Sequence, residues 1–217
     1  MNHMTNTFVV ASLLAVSVGC GGPLSHTVDD FQPSAASAPQ RTVVDAKQSA
    51  VHEASGKKDR TEAEVAKAEE ALGAAKAAKK RAEADREVAE AATELAKKKK
   101  AAGQAASVAD AEAAEGRADR AVAVAERKIE LAERRVDLAE RTHERAERAW
   151  IVALAELELA KLDARGGKGP AFDEEKATFE KQLADAESEH ADAKRQEAQA
   201  RQEVDEAEAS LTETQGS

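Results

Sequence analysis

From Ala118 onward the chain can be written in sevens: ADRAVAV, AERKIEL, AERRVDL, AERTHER, AERAWIV, ALAELEL. Nothing else in the sequence narrows the choice of fold as much. A sustained seven-residue apolar recurrence keeps one stripe of a helix facing a partner only if the helices wind left-handedly around each other. One column of the repeat holds Val122, Ile129, Val136, His143, Trp150 and Leu157. Three residues later comes a column of alanine alone: Ala125, Ala132, Ala139, Ala146, Ala153 and Ala160.

A second segment follows the same scheme. Leu183, His190, Glu197, Val204 and Leu211 share one column, and Phe179, Ala186, Ala193, Ala200 and Ala207 share its companion. Between the two segments lies Arg165-Gly166-Gly167-Lys168-Gly169-Pro170, a helix stop followed by a turn. Asp173, Glu174 and Glu175 then supply carboxylates to the next helix start, where the helix dipole favours them. Folding the chain back around Lys168 sets Leu157 opposite Phe179, Trp150 opposite Ala186, Val136 opposite Ala200 and Ile129 opposite Ala207. Ala153 then meets Leu183, Ala132 meets Val204 and Ala125 meets Leu211. Large against small fills a narrow seam without voids. The expected fold is all-α: a long, Ala-rich antiparallel coiled-coil hairpin with an additional long helix before it.

That additional helix is expected over residues 42–102. Val44, Val51, Val65 and Leu72 begin a column that Lys58, Lys79, Arg86 and Thr93 continue, with alanines 54, 68, 75, 82, 89 and 96 beside it. Its phase slips by one residue near Gly103, which marks a break. The hairpin arms are expected over 108–164 and 173–214, joined by a turn over 165–172. The first helix either packs on the hairpin, with Val44 to Leu72 the favoured stretch, or projects as a solvated rod supported by Glu–Lys pairs, and the sequence leaves both open. The core-packing residues are Val122, Ile129, Val136, Trp150, Leu157, Phe179, Leu183, Val204 and Leu211. His143 and His190 fall on the seam, where polar groups fix register and where protonation would loosen the packing.

Composition excludes the alternatives. Of 217 residues 52 are Ala, with one Trp, four Phe and no Tyr, so the large side chains of a compact enzyme, a β-sandwich or a Rossmann domain are missing. No nucleophile–base pair, carboxylate dyad, P-loop, GxGxxG or HExxH occurs. Neither an enzymatic role, a metal, a cofactor nor a small-molecule substrate is expected. The net charge is −10, concentrated in residues 173–217 with five basic and fourteen acidic groups, opposite an Arg-rich middle helix. Lys97–Lys100 is a basic run, but the acidic total and the scarcity of aromatics argue against nucleic acid.

The amino terminus carries an address. Phe8 to Val18 (FVVASLLAVSV) is too short to span a bilayer as a helix and has the length of a secretory h-region. It ends at Gly19-Cys20-Gly21-Gly22, and Cys20 is the only cysteine, so it has no disulfide partner in the chain. This arrangement resembles the lipobox of bacterial lipoproteins, although Ser17 stands where that family usually carries Leu. The resemblance implies a signal peptide over 1–19 and lipidation of Cys20 with palmitate-type acyl chains. Gly21 in place of Asp implies the outer membrane, with the protein facing the periplasm or the cell surface. Residues 20–41, with three of the four prolines, read as a flexible tether.

In composition the body is similar to the Ala/Lys/Glu helical segments of TolA-type proteins and to small coiled-coil envelope lipoproteins. The chain ends in Thr214-Gln215-Gly216-Ser217 without the terminal Lys of murein-linked lipoproteins. The expected role is therefore a membrane-anchored structural or scaffold protein of the bacterial envelope. It would bind an envelope protein, or a second copy of itself, through helical surfaces. The alternative is a subunit of an envelope export or signalling complex that docks through the hairpin tip near Lys168.

Overall fold

The computed structural model describes residues 23–216. The signal-peptide span 1–19 and the lipidation candidate Cys20 lie outside the described residues. Those described form three helices, α1 (Ala38–Ala101), α2 (Val108–Arg165) and α3 (Pro170–Gly216), with no strand among them. At 1.5 Å per residue, the 64 residues of α1 extend about 96 Å.

Local chemistry sets the ends of each helix. The backbone N–H of Ser37 donates to Gln40 Oε1 at 2.9 Å, and Pro39 occupies the first turn of α1, where its missing N–H costs nothing. Lys98, Lys99 and Lys100 sit in the last turn, at the negative end of the dipole. Gly103, at φ 73°, then turns the chain. Ser107 caps α2 by accepting from the N–H of Asp110. Gly166, also at φ 73°, ends α2, and Gly169 at φ 100° leads into Pro170.

Helix α2 is central. It packs against α1 along one face and against α3 along another, while the backbones of α1 and α3 make no close approach to each other. Along α1 the contacts run from Lys47–Glu156 through Thr61–His143 and Lys79–Glu126 to Lys97–Glu112, spanning almost the whole helix. Along α3 they run from Lys176–Asp163 beside the turn, through Arg148–Glu189 and Arg134–Glu203, to Arg135–Glu208.

This division corrects the layer pairing expected from the fold-back. Trp150, Ala153 and Leu157 face α1, in a cluster with Val44, Val51 and Ala54. Phe179 packs on Leu162 and Val28 rather than on Leu157. Val204 and Ala207 of α3 meet Leu131, with Leu138 and Leu211 alongside, so the residue packed with Ala207 is Leu131 and not Ile129. The physical reason is that α2 serves two neighbours and carries a stripe for each. The valine–tryptophan column supplies the α1 side. The last residue of each repeat, Leu131 and Leu138, supplies the α3 side.

The structure also differs from the expected tether. Residues 23–37 are laid against the rod, and α1 begins four residues before Thr42. Val28 is 6% exposed and Ala36 5%. Phe31 is half-buried between their two clusters. Leu162 and Phe179 would otherwise face water at the loop end of the α2–α3 pair. Val28 and Phe31 cover them, which is a sufficient hydrophobic reason for the segment to dock.

Candidate functional site

Residues 23–37 form an amino-terminal strap docked on the folded body. Its backbone is held as well as its side chains. The N–H of Val28 donates to Glu158 Oε2 at 2.7 Å, and the other oxygen of that carboxylate accepts from Lys161 at 2.7 Å. Glu158 is 6% exposed, and these two donors compensate its burial. Gln182 of α3 accepts from the His26 N–H and the Ser25 hydroxyl, and donates from its amide nitrogen to the His26 carbonyl. The ring of His26 stands edge-on to Phe179 at 6.2 Å. Arg165 then bridges Asp30 of the strap and Glu175 of α3, which raise its pKa, Glu175 contributing more.

These bonds decide where the chain upstream emerges. Pro23 and Leu24 share a hollow with Arg148, Ile151 and Glu189. Ile151 lies fourteen residues before Arg165, so Pro23 rests about 20 Å short of the α2 end, on the flank of the rod.

Midway along the rod is a buried polar layer. Glu197 of α3 is 5% exposed and accepts from Arg145 of α2 at 2.5 Å, with the Thr142 hydroxyl and Arg201 each at 3.4 Å. On the opposite face of α2, His143 Nδ1 lies 3.2 Å from the Thr61 hydroxyl of α1. His190 is half-buried, and its pKa is lowered by burial first and then by Arg145, Lys194 and Lys57, one cation from each helix. The two histidines named from sequence thus serve different neighbours. His143 addresses α1, and His190 sits among three cations.

No family model, curated protein or solved structure is similar to this chain. The functional reading therefore rests on the residues themselves.

Of the core residues named from sequence, Val122, Leu157, Phe179 and Val204 are buried. Ile129, Val136, Trp150, Leu183 and Leu211 are half-buried. Trp150 packs beside the α1 cluster and carries the Lys58 ammonium 5.1 Å from its ring centre. Sequence reasoning did not single out Leu131, Leu138, Leu162, Glu158 or the strap anchors Val28 and Phe31. Leu131 and Leu138 were visible as the apolar seventh residue of their repeats. Val28 and Phe31 were hidden in a Pro/Ser-rich stretch with no periodicity.

Among the described residues no cluster of His, Cys, Asp or Glu could hold a metal ion, and no helix is long and apolar enough to cross a membrane. A hollow of about 690 Å³ forms an open trough between α1 and α3, floored by Leu131, Leu138 and Ala139.

Proposed function

We propose that α2 and α3 form an antiparallel, alanine-seamed coiled-coil hairpin with α1 laid along it. On this reading the body is a lipid-anchored scaffold of the bacterial envelope. It is not an enzyme; it holds partners by its helical faces. One observation supports the reading: Pro23, three positions after the chain's sole cysteine in the sequence, is held on the flank of a rod built from helices of 47 to 64 residues. A lipid at Cys20 would hold the rod by its flank, close to the α2–α3 loop, leaving the end near Gly103 farthest from the anchor. The lipobox-like residues then imply the outer membrane as the site of anchoring.

Metabolic labelling with palmitate tests this directly. The wild-type chain is expected to carry label and to sediment with membranes. Cys20→Ala is expected to lose both. Label retained in Cys20→Ala would overturn the anchor.

The second reading is a docking subunit that uses the hairpin tip. In its favour, residues 166–171 are all exposed, while ion pairs immediately flanking them hold the tip rigid. A photocrosslinker at Lys168 is expected to trap one defined envelope protein on this reading, and nothing specific on the first.

A further inference from the structure

Beyond the contacts already described, α1 carries a second seam that no other described element covers. Among the exposed large apolar side chains, Val88 (70% exposed) and Leu95 (53%) lie seven residues apart. Ala84 and Ala91 stand four residues before each, also exposed. This repeats the bulky-plus-alanine scheme by which α1 meets α2 through Val44, Val51 and Ala54. The buried face of α1 in this region runs through Ala89, Thr93 and Ala96. At 100° per residue the Val88–Leu95 strip therefore points away from α2. The carboxyl end of α3 lies near Ala123 and Glu126 of α2, and the α3 backbone makes no close approach to α1. The strip is open along its whole length.

The flanking charges specify the occupant. With Val88 and Leu95 in the first core position, the residues just before the core are Lys80, Glu87 and Glu94, and those just after it are Asp85, Ala92 and Lys99. In a parallel, in-register pair, each residue of the first set meets the residue five later on the other helix. That joins Lys80 to Asp85 and Glu94 to Lys99, twice each, and sets Glu87 beside Ala92. An antiparallel pair instead brings Glu87 of one copy beside Glu94 of the other. Neighbouring charges are engaged within the chain, as in Lys79–Glu126 and Arg86–Glu90. Among the described residues no ion pair engages Lys80, Asp85 or Lys99, and Glu94 has only a 3.8 Å contact with Lys97. Arg81 and Lys98 would meet their own copies and so close the seam at either end.

We infer that this strip binds a second copy of the chain, parallel and in register. The seam is two heptads long, so the pairing is weak in solution. Two rods held in one membrane point the same way, the direction the charges select, and their shared surface raises the effective concentration.

The test uses residues 21–217, which keep every described contact and remove the apolar amino terminus, so its outcome is independent of the lipid anchor. Sedimentation equilibrium up to about 0.5 mM is expected to show a monomer–dimer equilibrium. Leu95→Lys is expected to weaken it by about tenfold or more without moving the thermal melt, because the site is exposed. Glu94→Lys alone is expected to weaken pairing, and adding Lys99→Glu to restore it. Spin labels on Ala77→Cys are expected within about 2 nm across the pair, whereas the antiparallel arrangement separates them by roughly 4 nm. A rod that stays monomeric, a dimer indifferent to Leu95→Lys, or the longer label distance would each overturn the proposal. The first outcome would leave the strip to a different protein.

Discussion

Thr93 is the residue whose packing is least consistent with its chemistry. It is 1% exposed, and its hydroxyl finds no partner in the structure. A buried, unsatisfied hydroxyl costs about 1–3 kcal/mol, and valine has nearly the same shape without it. Thr93→Val is accordingly expected to stabilise the rod by about 1 kcal/mol, read as a higher urea midpoint with unchanged slope. His190 behaves in the opposite sense. Its folded pKa lies below its ordinary value of 6.5, so below that value the unfolded chain binds more protons than the folded one. Stability is then full above about pH 6.5 and falls as acid is added, a loss that continues down to the depressed folded value. The charges facing it are those of Arg145, Lys194 and Lys57, and each disfavours the imidazolium. The melting temperature is expected to fall between pH 7.5 and pH 5, and His190→Gln to flatten that dependence. A wild-type profile as flat as the variant's would show that the imidazole is not responsible.

At the scale of the helix, α2 has two jobs, and a substitution on one face should leave the other intact. Leu131 is 7% exposed against Val204 and Ala207, so Leu131→Ala is expected to cost about 2–3 kcal/mol and to raise amide exchange throughout α3 while α1 stays protected. Trp150→Ala, which empties the α1 side, is expected to do the reverse at about 3 kcal/mol. Equal loosening of α1 and α3 by either substitution would mean that the two seams are not separate. This division also explains what could be read from the chain. Helix existence, the breaks at Gly103 and Gly166, and the buried column Phe179, Ala186, Ala193, Ala200 and Ala207 of α3 follow from periodicity and turn chemistry, both local properties. Which neighbour each face of α2 meets is not local. A column of alanines suits either partner, and the leucines at the seventh position were legible only once a third helix claimed the Trp150 side. The strap was the least legible element. Two side chains, Val28 and Phe31, hold it down, and no pattern of period 2 or 3.6 announces two residues.

Considered whole, the molecule thins along its length, and its stability should thin with it. Near the α2–α3 loop, four segments come together: α1, α2, α3 and the strap, with Leu162 fully buried among them. Midway there are three helices and the Arg145–Glu197 layer. Past Ala123, where α3 ends, only α1 and α2 continue, for about 22 Å. Apart from Val122 at its start, their seam there is alanine, Thr93 and charge, with ion pairs such as Lys97–Glu112 at 3.7 Å. Exposed pairs of this kind contribute only tenths of a kcal/mol, and alanine burial adds little apolar area. Opening of this prong therefore exposes less apolar surface than opening anywhere else in the rod. Native-state hydrogen exchange is expected to show protection rising steadily from residues 90–115 toward the loop end, with the amides around Leu157 and Leu162 exchanging only by global unfolding. If the Val88–Leu95 strip pairs two copies, raising the protein concentration should slow exchange selectively in residues 84–98, toward the level of the three-helix region. Uniform protection along the rod at low concentration would contradict the gradient, and with it the view that α3 and the strap supply most of the holding energy at the loop end.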